Sequence, residues 1–131
     1  MAGEVILMIE DNTLNRKLVE KILRPCGYRL LIAGDGQEGI EVATRERPDL
    51  ILMDMGMPKV TGYEATKTLK SQPETAHITI VALTSHAMEY ERERALEAGC
   101  DGYITKPIDT RVFPDQVRQY LDLRGDIKSS A

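Results

Sequence analysis

Five short apolar runs recur along this chain, each followed by a longer amphipathic stretch, and that alternation constrains the fold more than any other feature. The runs are Val5–Ile9, Leu30–Ala33, Leu50–Met53, Ile78–Leu83 and Gly102–Ile104, and they read as strands. Strand and helix in strict succession is the pattern of βαβ units built around a parallel sheet, so the chain is expected to be a three-layer α/β sandwich.

The intervening stretches carry helical signatures. Leu14, Leu18, Val19, Ile22 and Leu23 form one stripe, opened by Asn12 or Thr13 as cap and closed near Pro25 and Gly27. A second helix covers Gln37–Arg45, with Ile40 and Ala43 inward, and Pro48 stops it. The third runs over Gly62–Ser71 and the fourth over Ala87–Ala98, ended by Gly99. The fifth carries Val117, Tyr120 and Leu121. Because proline fits only the first helical turn, it should begin close to Pro114 rather than at Thr110. One domain over residues 1–123 and a short polar tail over 124–131 follow.

Composition narrows the function classes. A chain of 131 residues buries a core without disulfides. A net charge of −4 argues against general attraction to nucleic acid or an anionic membrane surface. Cys26 and Cys100 have no C-x-x-C partner and no His in metal spacing, so both read as free buried thiols in a reducing compartment. The N-terminal apolar run lacks a basic lead and is too short for a signal peptide or a membrane span, which makes a cytoplasmic protein the expectation.

The chemistry collects where the strands end. In open parallel sheets ligands bind beyond the carboxyl ends of the strands. Glu10 and Asp11 follow the first run, Asp54 ends the third, Thr84 and Ser85 follow the fourth, and Lys106 follows the fifth. Two unit negative charges ~4 Å apart near a surface repel by about 4 kcal/mol, so three carboxylates in one pocket call for a hard divalent cation. Oxygen-only ligands point to Mg²⁺ before zinc. Carboxylates for a metal, hydroxyls to donate hydrogen bonds and an ammonium to balance charge are together what a phosphoryl group needs. Singly, each has a plainer reading: Glu10-Asp11 as a solvated turn ahead of a helix, Thr84 as a strand-edge residue, Lys106 as a surface lysine. The constellation carries the case.

The ordered motifs resemble those of the receiver domain of bacterial two-component response regulators. They are I-E-D-N at Ile9–Asn12, L-M-D-M-G-M-P at Leu52–Pro58 with Gly62 beyond, A-L-T-S at Ala82–Ser85 and A-G-C-D-G-Y-I-T-K-P at Ala98–Pro107. The resemblance spans residues about 4 to 122 and is strongest to stand-alone receivers of the DivK type. It implies a flavodoxin-like fold of five parallel strands in the order 2-1-3-4-5. It also implies that Asp54 accepts phosphate from a kinase phosphohistidine, and that Glu10, Asp11, Asp54 and the Gly56 carbonyl hold Mg²⁺, with Mn²⁺ or Ca²⁺ able to substitute. Thr84, Ser85 and Lys106 would bind the phosphoryl group, Thr84 and Tyr103 would switch, and Lys106-Pro107 is a candidate cis peptide. The implied partners are a sensor histidine kinase or phosphotransfer protein and a downstream protein on the face of helix 4, strand 5 and helix 5. Direct nucleic-acid binding and membrane insertion are not expected, and the receiver would be a monomer or weak homodimer that catalyses only its own phosphotransfer and dephosphorylation.

Two departures from the family pattern concern the lifetime of the phosphorylated state. Gly56, two residues after the acceptor, offers no side chain to shield the phosphoryl group, and His86, two after Thr84, could orient or block water. Other features read as structural: Met53, Met55 and Met57 as packing, Glu89–Glu93 as a solvated helix face, His77 without a partner.

Rival readings are weaker. A receiver excised from a hybrid kinase would share the same motifs. A haloacid-dehalogenase-like phosphatase uses a strand-end Asp, Mg²⁺, a hydroxyl and a Lys, but it needs a second Asp where Gly56 stands. Gly34–Gly39 matches G-x-G-x-x-G after a strand, yet Asp35 and Glu38 put negative charge where a pyrophosphate would sit.

Overall fold

The computed structural model describes residues 3–85 and 89–130. Five strands, β1 (Val5–Ile9), β2 (Arg29–Ala33), β3 (Leu50–Asp54), β4 (Thr79–Thr84) and β5 (Gly102–Thr105), alternate with α1 (Thr13–Leu23), α2 (Gly36–Glu46), α3 (Gly62–Ser71), α4 (Glu89–Ala98) and α5 (Phe113–Ser130). All strand pairs are parallel and the order is β2-β1-β3-β4-β5, as the resemblance implies. Helical backbone continues through residues 124–130, where the sequence suggests a polar tail. Among the described residues no helix is long and apolar enough to cross a membrane.

Every residue of β3 and β4 is buried, because helices cover both faces of a parallel sheet. The pleat sends alternate side chains into two cores. Leu7, Ile9, Ile51, Met53, Ile80 and Ala82 meet Ala43 of α2, Ala65 and Leu69 of α3 and Ala95 of α4. Ile6, Met8, Leu50, Leu52, Val81, Leu83 and Ile104 meet Val19 and Leu23 of α1 and Phe113, Val117 and Leu121 of α5. Met53, Met55 and Met57 are all buried in the first core.

Local signals set the helix boundaries. The Asn12 side chain caps α1 by accepting from the Asn15 N–H, and Gly27, in the left-handed region at φ 90°, ends the 3-10 turn Arg24–Cys26 that follows. Thr61 and Glu64 form a reciprocal capping box at the start of α3. Pro114 occupies the first turn of α5, where its missing N–H costs nothing. The G-x-G-x-x-G segment is spent on the fold. Asp35 caps α2, Glu38 folds back to accept from the Gly34 N–H at 2.6 Å, and Gly39 lies so close to Ile9 that a Cβ would collide.

Four expectations change. Leu14 is 77% exposed rather than part of the buried stripe, since the first turn of α1 stands at the rim beyond the strand ends. Cys26 is exposed in the 3-10 turn, and only Cys100 is buried. Thr84 closes β4, paired with Thr105, rather than following the strand. Within the run Glu89–Glu93, Glu91 is half-buried and hydrogen-bonded. Residue 86, the candidate tuning histidine, lies outside the described residues, while His77 is exposed.

Burial pushes the Cys100 thiol up to about 11, whereas Cys26 faces solvent. In native protein iodoacetamide should therefore alkylate Cys26 and react with Cys100 roughly a hundredfold more slowly, since thiolate fraction and access both fall. Peptide mapping of alkylated protein checks this, and comparable labelling of both thiols would contradict the packing.

Candidate functional site

Strand register brings the site together. Ile9 pairs with Met53, so Glu10 and Asp54 stand side by side as β1 and β3 end. Asp54 pairs with Leu83 and Thr84 with Thr105, which sets Thr84 and Lys106 next along the same rim. Parallel strands ending in register place side chains distant in sequence within contact, and the chemistry follows from that alignment.

One carboxylate oxygen from each of Glu10, Asp11 and Asp54 lies within 4.8 Å of the others. Glu10 is fully buried and Asp54 nearly so, while Asp11 is exposed. The Lys106 ammonium donates to Glu10 Oε1 at 3.0 Å and to Asp54 Oδ1 at 3.1 Å. Asp54 Oδ1 also accepts from the Gly56 N–H at 3.0 Å. Glu10 accepts further from the Asn12 N–H and from Asn15 Nδ2, both at 3.3 Å. The Lys106–Pro107 peptide is cis. Gly62 is required beneath the site, because a Cβ there would run into the Asp54 carbonyl and Met55.

The electrostatics are those of a pocket holding more negative charge than it neutralises. Burial, with the neighbouring Asp54 carboxylate, pushes Glu10 up to about 7 against the pull of Lys106. Burial would raise Asp54 too, but hydrogen bonds from Glu10, the Gly56 N–H and Lys106 outweigh it and hold Asp54 below the ordinary carboxylate range. Burial works to lower Lys106, yet Glu10 and Asp54 hold its ammonium above the usual lysine value. Glu10 rather than Asp54 is therefore the carboxyl that takes up a proton first as pH falls, chiefly because it is buried. The donor set suits a hard divalent ion, since three carboxylate oxygens meet with no thiol or imidazole near them.

Beyond the trio, a cleft is lined by Asp54, Gly56, Tyr63, Thr84, Ser85 and Arg94, among others. Thr84 is buried and Ser85 exposed. A Cβ on Gly56 would meet only Asp54 Oδ1, at 3.8 Å, so that side of the Asp54 carboxylate is open. Tyr103, one strand position beyond Gly102, is half-buried with the Arg92 guanidinium 4.6 Å from its ring centroid. Its backbone N–H donates to the Tyr120 hydroxyl, which donates to the Tyr103 carbonyl, both at 3.3 Å. Sequence reasoning missed Tyr63, Glu91, Arg94 and Tyr120. Asn15 had a signal in the spacing E-D-N-x-x-N, but a glutamate and an arginine in an otherwise polar helix carry none.

Residues 6–118 match the model of the response regulator receiver domain. The chain belongs to that family. It is 40% identical over 116 residues to the polar-differentiation response regulator DivK of Brucella anthropi, covering 88% of this chain and 94% of that protein. The receiver domain of sensor histidine kinase PA1611 from Pseudomonas aeruginosa, solved with a magnesium ion in its active-site cleft, superposes with a TM-score of 0.85. It is 36% identical, and the match covers 92% of this chain and 99% of that one. The receiver domain of Saccharomyces cerevisiae Ssk1, crystallised with the histidine phosphotransfer protein Ypd1, gives 0.85 at 26% identity over 94% of this chain and 92% of that one. The receiver is a two-component signalling module rather than an enzyme of the ordinary kind, and the phosphatase and dinucleotide readings are set aside.

Lys106 carries a definite test. The folded pKa of Glu10 lies above the ordinary glutamate value of 4.5, so its proton stabilises the receiver below that value, and this stabilisation is lost as pH rises through about 7. Replacing Lys106 by Met leaves both carboxylates uncompensated. It should cost about 2–4 kcal/mol above neutrality and progressively less in acid, where the pair takes up protons. Urea unfolding across pH without divalent ions measures this, and a pH-independent loss would contradict the pairing.

Proposed function

We propose that Asp54 is the phospho-acceptor of this receiver and that Glu10, Asp11, Asp54 and the Gly56 carbonyl hold Mg²⁺ beside it. The observation that carries the reading is the meeting of three carboxylate oxygens with one ammonium at the strand ends. A carboxylate oxygen of Asp54 attacks phosphorus on a phosphohistidine, the N–P bond breaks, and the imidazole leaves with the bonding pair. Mg²⁺ bound there supplies positive charge to the phosphoryl oxygens. Lys106 exchanges its hold on Asp54 Oδ1 for a phosphoryl oxygen, Thr84 donates its hydroxyl, and the exposed Ser85 stands beside them. A cation held by these carboxylates would compete with protonation of Glu10. Slow return of the phosphoryl group to water completes the cycle.

The partners follow from the same reading. A histidine kinase or phosphotransfer protein supplies the phosphoryl group, and a downstream protein reads the face of α4, β5 and α5. Tyr103 on that face responds to Thr84 by exchanging its half-buried position for a more buried one. Phosphate and metal select between arrangements already accessible, which makes the change a population shift.

Incubation with acetyl phosphate and Mg²⁺ should add one phosphate by intact mass, and Asp54→Asn should abolish the addition. Asp11→Ala should weaken Mg²⁺ binding by roughly tenfold or more in calorimetric titration, as loss of a charged ligand does. Unchanged affinity would overturn the metal assignment. Tyr103→Ala should leave the extent of phosphorylation within about twofold of the parent while weakening capture of the downstream partner, because the ring lies outside the acceptor cleft.

A further inference from the structure

α4 is fastened to its neighbours in an unusual way. Among the described side chains of α4, the buried apolar ones are Ala95 and Ala98, which offer little area. Polar contacts add to that hold. Tyr63 of α3 donates its hydroxyl to Glu91 Oε2 at 2.7 Å, and the Arg94 guanidinium lies over the same ring, 3.9 Å from its centroid. Glu91 and Arg94 are three residues apart and share one helical face, so Tyr63 is gripped at its hydroxyl by one and across its ring by the other. Burial and Glu91 together push the Tyr63 phenol up to about 12, so it donates throughout the physiological range.

Tyr63, Glu91 and Arg94 line the same cleft as Asp54, Gly56 and Thr84. Gly56 leaves one flank of the acceptor bare. We infer that the Tyr63–Glu91–Arg94 cluster is a latch that closes the α3–α4 side of the acceptor cleft and sets the lifetime of the acyl phosphate by limiting the approach of water. The inference rests on Asp54 as acceptor. In the step it governs, water oxygen adds to phosphorus and the P–O bond to the Asp54 carboxylate breaks. The carboxylate keeps the bonding pair, and the attacking water sheds its proton to solvent. Tyr63 touches none of the reacting atoms; it is a positioning residue that fixes the α3–α4 wall of the cleft that it shares with Asp54 and Gly56.

The test is the rate at which phosphate is lost from receiver labelled by acetyl phosphate in saturating Mg²⁺ and then freed of donor. Tyr63→Phe, which keeps the ring and removes the hydroxyl, should shorten the lifetime roughly threefold or more, the scale of one lost hydrogen bond. Glu91→Ala should do the same, Glu91→Gln, which can still accept from the hydroxyl, should restore most of it, and Tyr63→Phe with Glu91→Ala should add little to either alone. A structural role alone would lower the melting temperature without this pattern, so melting is measured in parallel. If the parent is labelled at Asp54 and the Tyr63→Phe and Glu91→Ala lifetimes stay within about twofold of it, the latch is overturned while the acceptor reading stands. If the parent takes no label, both fall.

Discussion

A single ammonium set among three carboxylates is the constraint on which this molecule depends. Lys106 reaches Glu10 and Asp54 at hydrogen-bond distance, yet one positive charge cannot balance the trio, and burial together with the Asp54 carboxylate pushes Glu10 up to about 7. Such a pocket is costly to fold around and survives because the sheet beneath it is apolar and continuous. The interior of β3 and β4, buried on both faces, supplies the stabilisation that the rim consumes.

The same register that aligns the strands aligns the chemistry. Glu10, Asp54, Thr84 and Lys106 are separated by dozens of residues in the chain and by single strand positions in space. A slip of one residue in any pairing would turn an acid or a lysine toward a core of leucine and isoleucine, so packing on both faces polices the site. The strand ends hold the carboxylate trio, while the surrounding helices differ in what they bury. α1 and α5 bury Leu23, Phe113 and Leu121, whereas the buried apolar side chains among the described residues of α4 are alanines.

Most of the architecture was legible in the sequence because each strand is an unbroken apolar run and each helix has a stripe, a cap or a breaker. Glu10, Asp11, Asp54 and Lys106 were legible for a related reason: each has a plain reading by itself, but acids and a lysine at the ends of three such runs converge on one rim. Leu14 misled because helical spacing reports a face without reporting how far the sheet extends beneath it, and its first-turn position left it at the rim. Cys26 misled because a cysteine's apolar character says little about a turn at the surface. Glu91 and Arg94 were illegible for a deeper reason. Their partner Tyr63 lies 28 residues before Glu91, on another helix, and no pattern within α4 distinguishes a gripping charge from a solvated one.

The clasp of Tyr120 on β5 has a consequence for how information leaves the molecule. An outermost strand ordinarily presents bare amide and carbonyl groups that invite another chain to extend the sheet. Here the Tyr120 hydroxyl satisfies both main-chain groups of Tyr103 at once. The polypeptide at that point is moored by the hydroxyl, while the Tyr103 ring beside it is half-buried under the Arg92 guanidinium. With those two groups taken, this stretch of β5 offers a neighbour side-chain shape rather than a bare strand edge on which to extend the sheet.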